Sequence, residues 1–123
     1  MTNKKVFASK RILVVGATGA IGSTIAKTLS LQGAELCLAS RDVSKLEVIA
    51  SELSAASISI NLTKPDSFAA IVDEIDILDG IVCAAGVAPL SPVKFMQEKH
   101  LINCIQINAV SPLLLIRDLY KQK

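Results

Sequence analysis

Apolar positions along this chain recur in two periods, and the switches between them mark out alternating strands and helices. Ile12–Val15 is a continuous apolar run, the pattern of a strand buried on both faces. Ile21, Ile25 and Leu29 then recur every four residues, as on one face of a helix, until Gln32 and Gly33 stop it. Glu35–Ala39 predicts a second strand. Ser44-x-x-Glu47 reads as a capping box for a helix with Leu46, Ile49, Ala50 and Leu53 inward. Ile58–Leu62 predicts strand three. Thr63 is positioned to cap the next helix, with Pro65 in its first turn and Asp66 favourable to the dipole. Phe68, Ile71, Val72 and Ile75 form its apolar face. Leu78–Ala84 predicts strand four, and Gly86 and Pro89 begin a loop. A long last helix spans Gln97–Tyr120, with Ile102, Ile105, Ala109, Leu113 and Ile116 on one side. Short connections between alternating strands and helices require parallel strands and right-handed crossovers. The expectation is one α/β domain over residues 1–123, a doubly wound parallel sheet of strand order 3-2-1-4.

Composition narrows the class. The 123 residues are 51% hydrophobic but only 3% aromatic, so the core is aliphatic, and a mean hydropathy of +0.51 argues against disorder. Thirteen basic against eleven acidic residues leave a net charge of +2, which does not suggest a nucleic-acid partner. Lys4, Lys5, Lys10 and Arg11 crowd the start, either as a solvated tail before strand one or as a basic targeting arm. Ile12–Val15 is too short for a signal-peptide core and no run approaches a membrane span, so no membrane partner is expected. Cys37, Cys83 and Cys104 are far apart and in apolar surroundings, as reduced core residues of a cytoplasmic protein and not as a metal site or disulfide frame. His100 stands alone near a helix start and reads as a surface residue.

The chemistry concentrates in Val14–Gly22, V-V-G-A-T-G-A-I-G, where the first strand turns into the first helix. Gly16 permits a tight turn, Gly19 removes a Cβ from the surface, and Gly22 lets the helix pack closely on the strand. The N–H groups and dipole of that helix start favour a pyrophosphate. The spacing points to dinucleotide binding, but a glycine loop alone is a weak signal, and motifs farther along the chain must agree with it.

From Arg11 to Tyr120 the chain resembles the N-terminal, cofactor-binding half of a short-chain dehydrogenase/reductase, with a Rossmann-like fold. Gly16-Ala17-Thr18-Gly19-Ala20-Ile21-Gly22 fits that family's T-G-x-x-x-(A/G)-x-G motif from its first glycine, with Val15 replacing the Thr. The resemblance implies that Gly16, Thr18, Gly19, Ala20, Ile21 and Gly22 hold the pyrophosphate. After strand two, NAD-preferring relatives place Asp where this chain has Ser40, followed by Arg41. A hydroxyl and a guanidinium suit a 2′-phosphate, hence NADP in preference to NAD; the other reading is a surface Arg41 paired with Asp42. Asn61-Leu62-Thr63 resembles D-(V/L)-(S/T), whose acid contacts the adenine amino group. Asn61 can accept there through its amide oxygen, or serve only as turn chemistry. Cys83-Ala84-Ala85-Gly86 resembles N-N-A-G, implying that Ala84, Ala85 and Gly86 let the backbone approach the nicotinamide-side ribose.

Asn108-x-x-x-Pro112 resembles the family's N-x-x-x-P segment. Pro112 lacks an N–H, so the carbonyl of Asn108 loses its i+4 donor. The resemblance gives Asn108 a place in the proton relay, where the freed carbonyl holds a water; the alternative is a simple kinked helix. The family's remaining catalytic residues are a Ser and a Tyr-x-x-x-Lys, and the 123 residues contain neither at the expected place. Tyr120-x-x-Lys123 is one residue short and falls in the wrong helix. The resemblance therefore implies hydride transfer between NADP(H) and a small carbonyl or alcohol, in a chain truncated before strand five and catalytically incomplete. The alternative is a non-catalytic nucleotide-binding or interaction module. Strand four would be an open edge, inviting pairing with a second copy there or through the last helix.

Overall fold

Strand β1 (Arg11–Val15) is buried along nearly its whole length, and the other elements pack around it. It pairs in parallel with β2 (Glu35–Ser40) on one side and β4 (Gly80–Cys83) on the other, and β3 (Ala56–Ser59) adds outside β2. The order β3-β2-β1-β4 is the expected one, and it leaves β4 at an edge. The structure, a computed structural model, describes residues 5–121; Lys4 of the basic tail and Lys123 lie outside the described residues.

Successive strand residues point to opposite faces, so β1 feeds two cores. Ile12 and Val14 pack with Leu36, Leu38, Leu46 and Ile49 beneath α1 (Ala20–Leu31) and α2 (Val43–Leu53). Leu13 and Val15 pack with Phe68, Val72, Ile107, Leu115 and Leu119 beneath α3 (Phe68–Val72) and α5 (Ser111–Tyr120). Helix α4 (Glu98–Ile105) continues into α5 through Gln106–Val110, which winds as a π-helix. That turn absorbs the disruption expected from Pro112, because its i→i+5 pattern lets Ser111 N–H donate to the Gln106 carbonyl ahead of the proline.

Several sequence expectations shift. In α1 the buried positions are Gly22 and Ala26, while Ile21 is 71% exposed; small residues, not the isoleucine, let α1 approach the sheet. The cap of α2 is Asp42, whose carboxylate accepts from Lys45 N–H at 3.1 Å, and not Ser44. Asp42→Ala is expected to cost about 1 kcal/mol, read as a lower urea midpoint with an unchanged slope. Strand β3 runs from residue 56 to 59, earlier than expected; the last ladder bond is Ile60 N–H to the Ser40 carbonyl. Thr63 caps nothing: a 3₁₀ turn at Pro65–Ser67 precedes α3, and no side chain caps either.

The long helix shows the largest difference. Its inward face is Ile107, Ser111, Leu115 and Leu119, whereas Ile102, Ile105, Leu113 and Ile116 of the expected stripe are exposed. Both sides are apolar at helical spacing, so periodicity does not choose between them. Nor does the expectation that no run approaches a membrane span hold. Glu98–Tyr120 is a 23-residue helix containing an 18-residue stretch of mean hydropathy 1.2, long and apolar enough by length and composition to cross one. The two apolar sides add up because the π turn carries the helix through Pro112.

Candidate cofactor site

The carboxyl ends of the strands carry a cleft of about 250 Å³. It is lined by Val15, Gly16, Thr18, Gly19, Ser40, Arg41, Ile60, Asn61, Leu62, Thr63, Ala84, Ala85, Gly86, Val87 and Ile107. Ten of the thirteen expected cofactor-binding residues meet there, and Arg41 is the one charged residue among them. Ala20, Ile21 and Gly22 do not line it; they form the first turn of α1. Asn108 stands behind the rim and not in the lining.

The glycines divide the labour. Gly16 has φ +84°, and a Cβ there would lie 2.5 Å from the Ala85 amide nitrogen. A Cβ on Gly22 would fall 2.0 Å from the Gly16 carbonyl oxygen. Both glycines are required by the fold itself. Gly19 differs: the nearest atom to its ideal Cβ is that same oxygen at 3.6 Å, an ordinary contact. Among the described residues no contact demands glycine at 19. Gly19 is also the N-cap of α1, with no side-chain cap and no acidic residue in the first turn, so first-turn N–H groups remain for an anion.

At the end of β2, Thr18 Oγ1 and Ser40 Oγ lie 2.6 Å apart, and Asp42 N–H donates to Ser40 Oγ at 3.3 Å. One hydroxyl donates to the other, so one hydroxyl proton remains for a ligand. Arg41 makes no ion pair with Asp42, whose carboxylate is occupied at the α2 cap, and has no partner among the described residues. Asn61 Oδ1 accepts from Thr63 N–H at 2.9 Å and Thr63 Oγ1–H at 2.6 Å. This corrects the expectation that the oxygen is available to an adenine amino group: both lone pairs are used, and Nδ2 is the group left over.

Asn108 Oδ1 accepts from Val87 N–H at 2.8 Å, and its Nδ2 donates to the Val87 carbonyl at 2.7 Å. The side chain thus pins the loop after β4, and a Cβ on Gly86 would meet Asn108 Oδ1 at 2.9 Å. Cys104 Sγ accepts from Nδ2 at 3.2 Å and donates to the Val87 carbonyl at 3.4 Å. The cysteines are not core residues as expected: Cys83 is exposed and Cys37 and Cys104 are half-buried. Partial desolvation raises the pKa of Cys83, and desolvation with Asp76 raises that of Cys37, the opposite of the lowering that activates a thiol. No group of metal-ligating side chains occurs among the described residues.

The sequence reading missed Val15, Ile60, Thr63, Val87 and Ile107 as cleft residues. Thr63 had a legible signal in Asn61-x-Thr63, an Asx-turn spacing; Ile107 had none, since it reads as core.

A family model for short chain dehydrogenases matches residues 10–122. The chain is 28% identical over 118 residues to a 3-oxoacyl-(acyl-carrier-protein) reductase of Rickettsia typhi, covering 94% of this chain and 49% of the relative. It is 32% identical over 109 residues to an uncharacterized oxidoreductase of Listeria innocua, covering 81% and 44%. It therefore spans about half the length of the curated relatives it matches. Among solved structures, a putative short chain dehydrogenase of Escherichia coli complexed with NADPH superposes with a TM-score of 0.87 at 22% identity, covering 95% of this chain and 54% of the other. A short chain dehydrogenase of Shigella flexneri gives a TM-score of 0.88 at 22% identity, with coverages of 98% and 52%. Matched over nearly its whole length, this chain belongs to the short-chain dehydrogenase family.

Proposed function

We propose that this chain forms the NADP-binding half of a cytoplasmic oxidoreductase, with hydride passing between the nicotinamide and a small carbonyl or alcohol. The observation that carries the reading is the Arg41 guanidinium, without a partner among the described residues, beside the Thr18–Ser40 hydroxyl pair in a cleft whose described lining has no carboxylate. Those groups are donors, as a 2′-phosphate requires and a bare 2′-hydroxyl does not. Gly16, Thr18, Gly19, Ala20, Ile21 and Gly22 then serve the pyrophosphate, Asn61 Nδ2 and Leu62 the adenine, and Ala84, Ala85 and Gly86 the ribose. Asn108 lends its backbone carbonyl to a proton relay while its side chain holds the loop. The NADPH carried by the Escherichia coli structure is consistent with this assignment. Neither a membrane nor a nucleic acid forms part of it.

NADP(H) supplies the hydride; the proton for the carbonyl oxygen must come from a Ser and Tyr-x-x-x-Lys set that these 123 residues lack. The purified chain alone is therefore expected to show no NADPH-dependent carbonyl reduction above background, measured as absorbance loss at saturating NADPH. Turnover at enzyme-like rates would sink this division of labour.

A second reading, a non-catalytic module that pairs with a second copy, is favoured by the exposed Leu101, Ile102, Ile105, Leu113 and Ile116 and by the open β4 edge. Light scattering separates the two: a monomer at all concentrations removes the second.

A further inference from the structure

The π-helical turn Gln106–Val110 reaches both rims of the cleft from below. Ile107, buried, forms part of the cleft floor. On one side Asn108 holds Val87, as described. On the other, Ser111 Oγ donates to the Leu62 carbonyl, and Gln106 Nε2 donates to Ser111 Oγ at 2.8 Å. Ser111 has no exposed surface, and its hydroxyl joins segments 49 residues apart in sequence. With the Gln106 amide occupying one side of the oxygen, the single Ser111 proton goes to Leu62.

Leu62 needs that support. The β3 ladder ends at Ile60, and the Asn61–Thr63 turn beyond it is closed only on itself. On a regular α-helix, side chains three positions apart point only about 60° apart. Winding the turn to i→i+5 opens that angle, so Asn108 and Ser111 face different rims from one turn.

We propose that Ser111 is a positioning residue for the adenine-side rim, with Gln106 setting the direction of its hydroxyl. The π turn thereby holds the two rims at a fixed spacing. This rests on the cofactor reading above. It predicts a crossed pattern with two half-cofactor probes: 2′,5′-ADP for the adenine side and reduced nicotinamide mononucleotide for the other.

The test titrates the parent chain, Ser111→Ala, Asn108→Ala and Gln106→Met with each probe, following amide chemical shifts. Ser111→Ala is expected to weaken 2′,5′-ADP about tenfold, the worth of one well-placed hydrogen bond, and the mononucleotide less than about twofold. Asn108→Ala is expected to do the reverse. Gln106→Met, at a half-exposed position, should repeat the Ser111 pattern more weakly and carries the test if Ser111→Ala does not fold. Equal losses on both probes, or no loss on either, would overturn the proposal, because general loosening does not discriminate between halves. A parent chain that binds neither probe would instead sink the cofactor reading, and this inference with it.

Discussion

Gly22→Ala is expected to destabilise the chain by at least about 3 kcal/mol, a fall in melting temperature of more than about 10 °C. The added methyl would sit 2.0 Å from the Gly16 carbonyl oxygen. The clash is with backbone, and that backbone belongs to a turn whose own φ of +84° only glycine adopts comfortably. Gly16 cannot yield sideways either, because it lies against the Ala85 backbone. Relief requires α1 to lift from β1, breaking the close approach through Gly22 and Ala26 on which one core layer rests. Gly19→Ala is the control. Its methyl meets nothing closer than 3.6 Å, so the fold loses about 1 kcal/mol, through a poorer N-cap. Cofactor affinity is expected to fall with Gly19→Ala while the fold persists. Thermal unfolding followed by circular dichroism orders the two variants, and equal stabilities would refute the assignment of Gly22 to packing.

Arg41→Ala is expected to weaken NADPH by about 10- to 100-fold and to leave NADH within about twofold, the loss of a charge-assisted phosphate contact. The side chain is exposed and without a partner among the described residues, so its removal leaves no buried group unpaired and the fold should be indifferent to it. Ser40→Ala should act in the same direction more weakly, since the hydroxyl of Thr18, 2.6 Å from Ser40 Oγ, is kept while losing its partner. Calorimetric titration with both cofactors reads the difference. Equal affinities of the parent for NADPH and NADH would remove Arg41 from cofactor selection. Binding of neither by a folded chain would remove the cofactor reading altogether.

Much of this protein is written in local pattern. The Ile12–Val15 run, with no polar residue to face water, must be a strand covered on both sides, and short helical connections then impose the parallel order β3-β2-β1-β4. The spacing of Gly16, Gly19 and Gly22 marks the strand-to-helix turn because each requirement there is local and steric. The strand ends put Ser40, Asn61 and Ala84–Gly86 beside that turn with no further information needed, since parallel strands share one carboxyl end.

Tertiary structure decided the rest, wherever two local choices were equally good. Ser44 and Asp42 can both cap a helix, and Asp42 does so, which leaves Arg41 without a partner among the described residues. Asn61 has one amide oxygen, and Thr63 takes it before any ligand can. The long helix has two apolar sides, and only packing against Phe68 and Leu13 selects Leu115 and Leu119 over Leu113 and Ile116. A proline in that helix announces a disturbance but not its form. The π turn that resolves it, and the way it aims Asn108 and Ser111 at opposite rims, depends on Leu62 and Val87, distant in sequence and adjacent only after folding. Periodicity reports what a segment prefers, and contacts between remote segments settle which of its preferences is used.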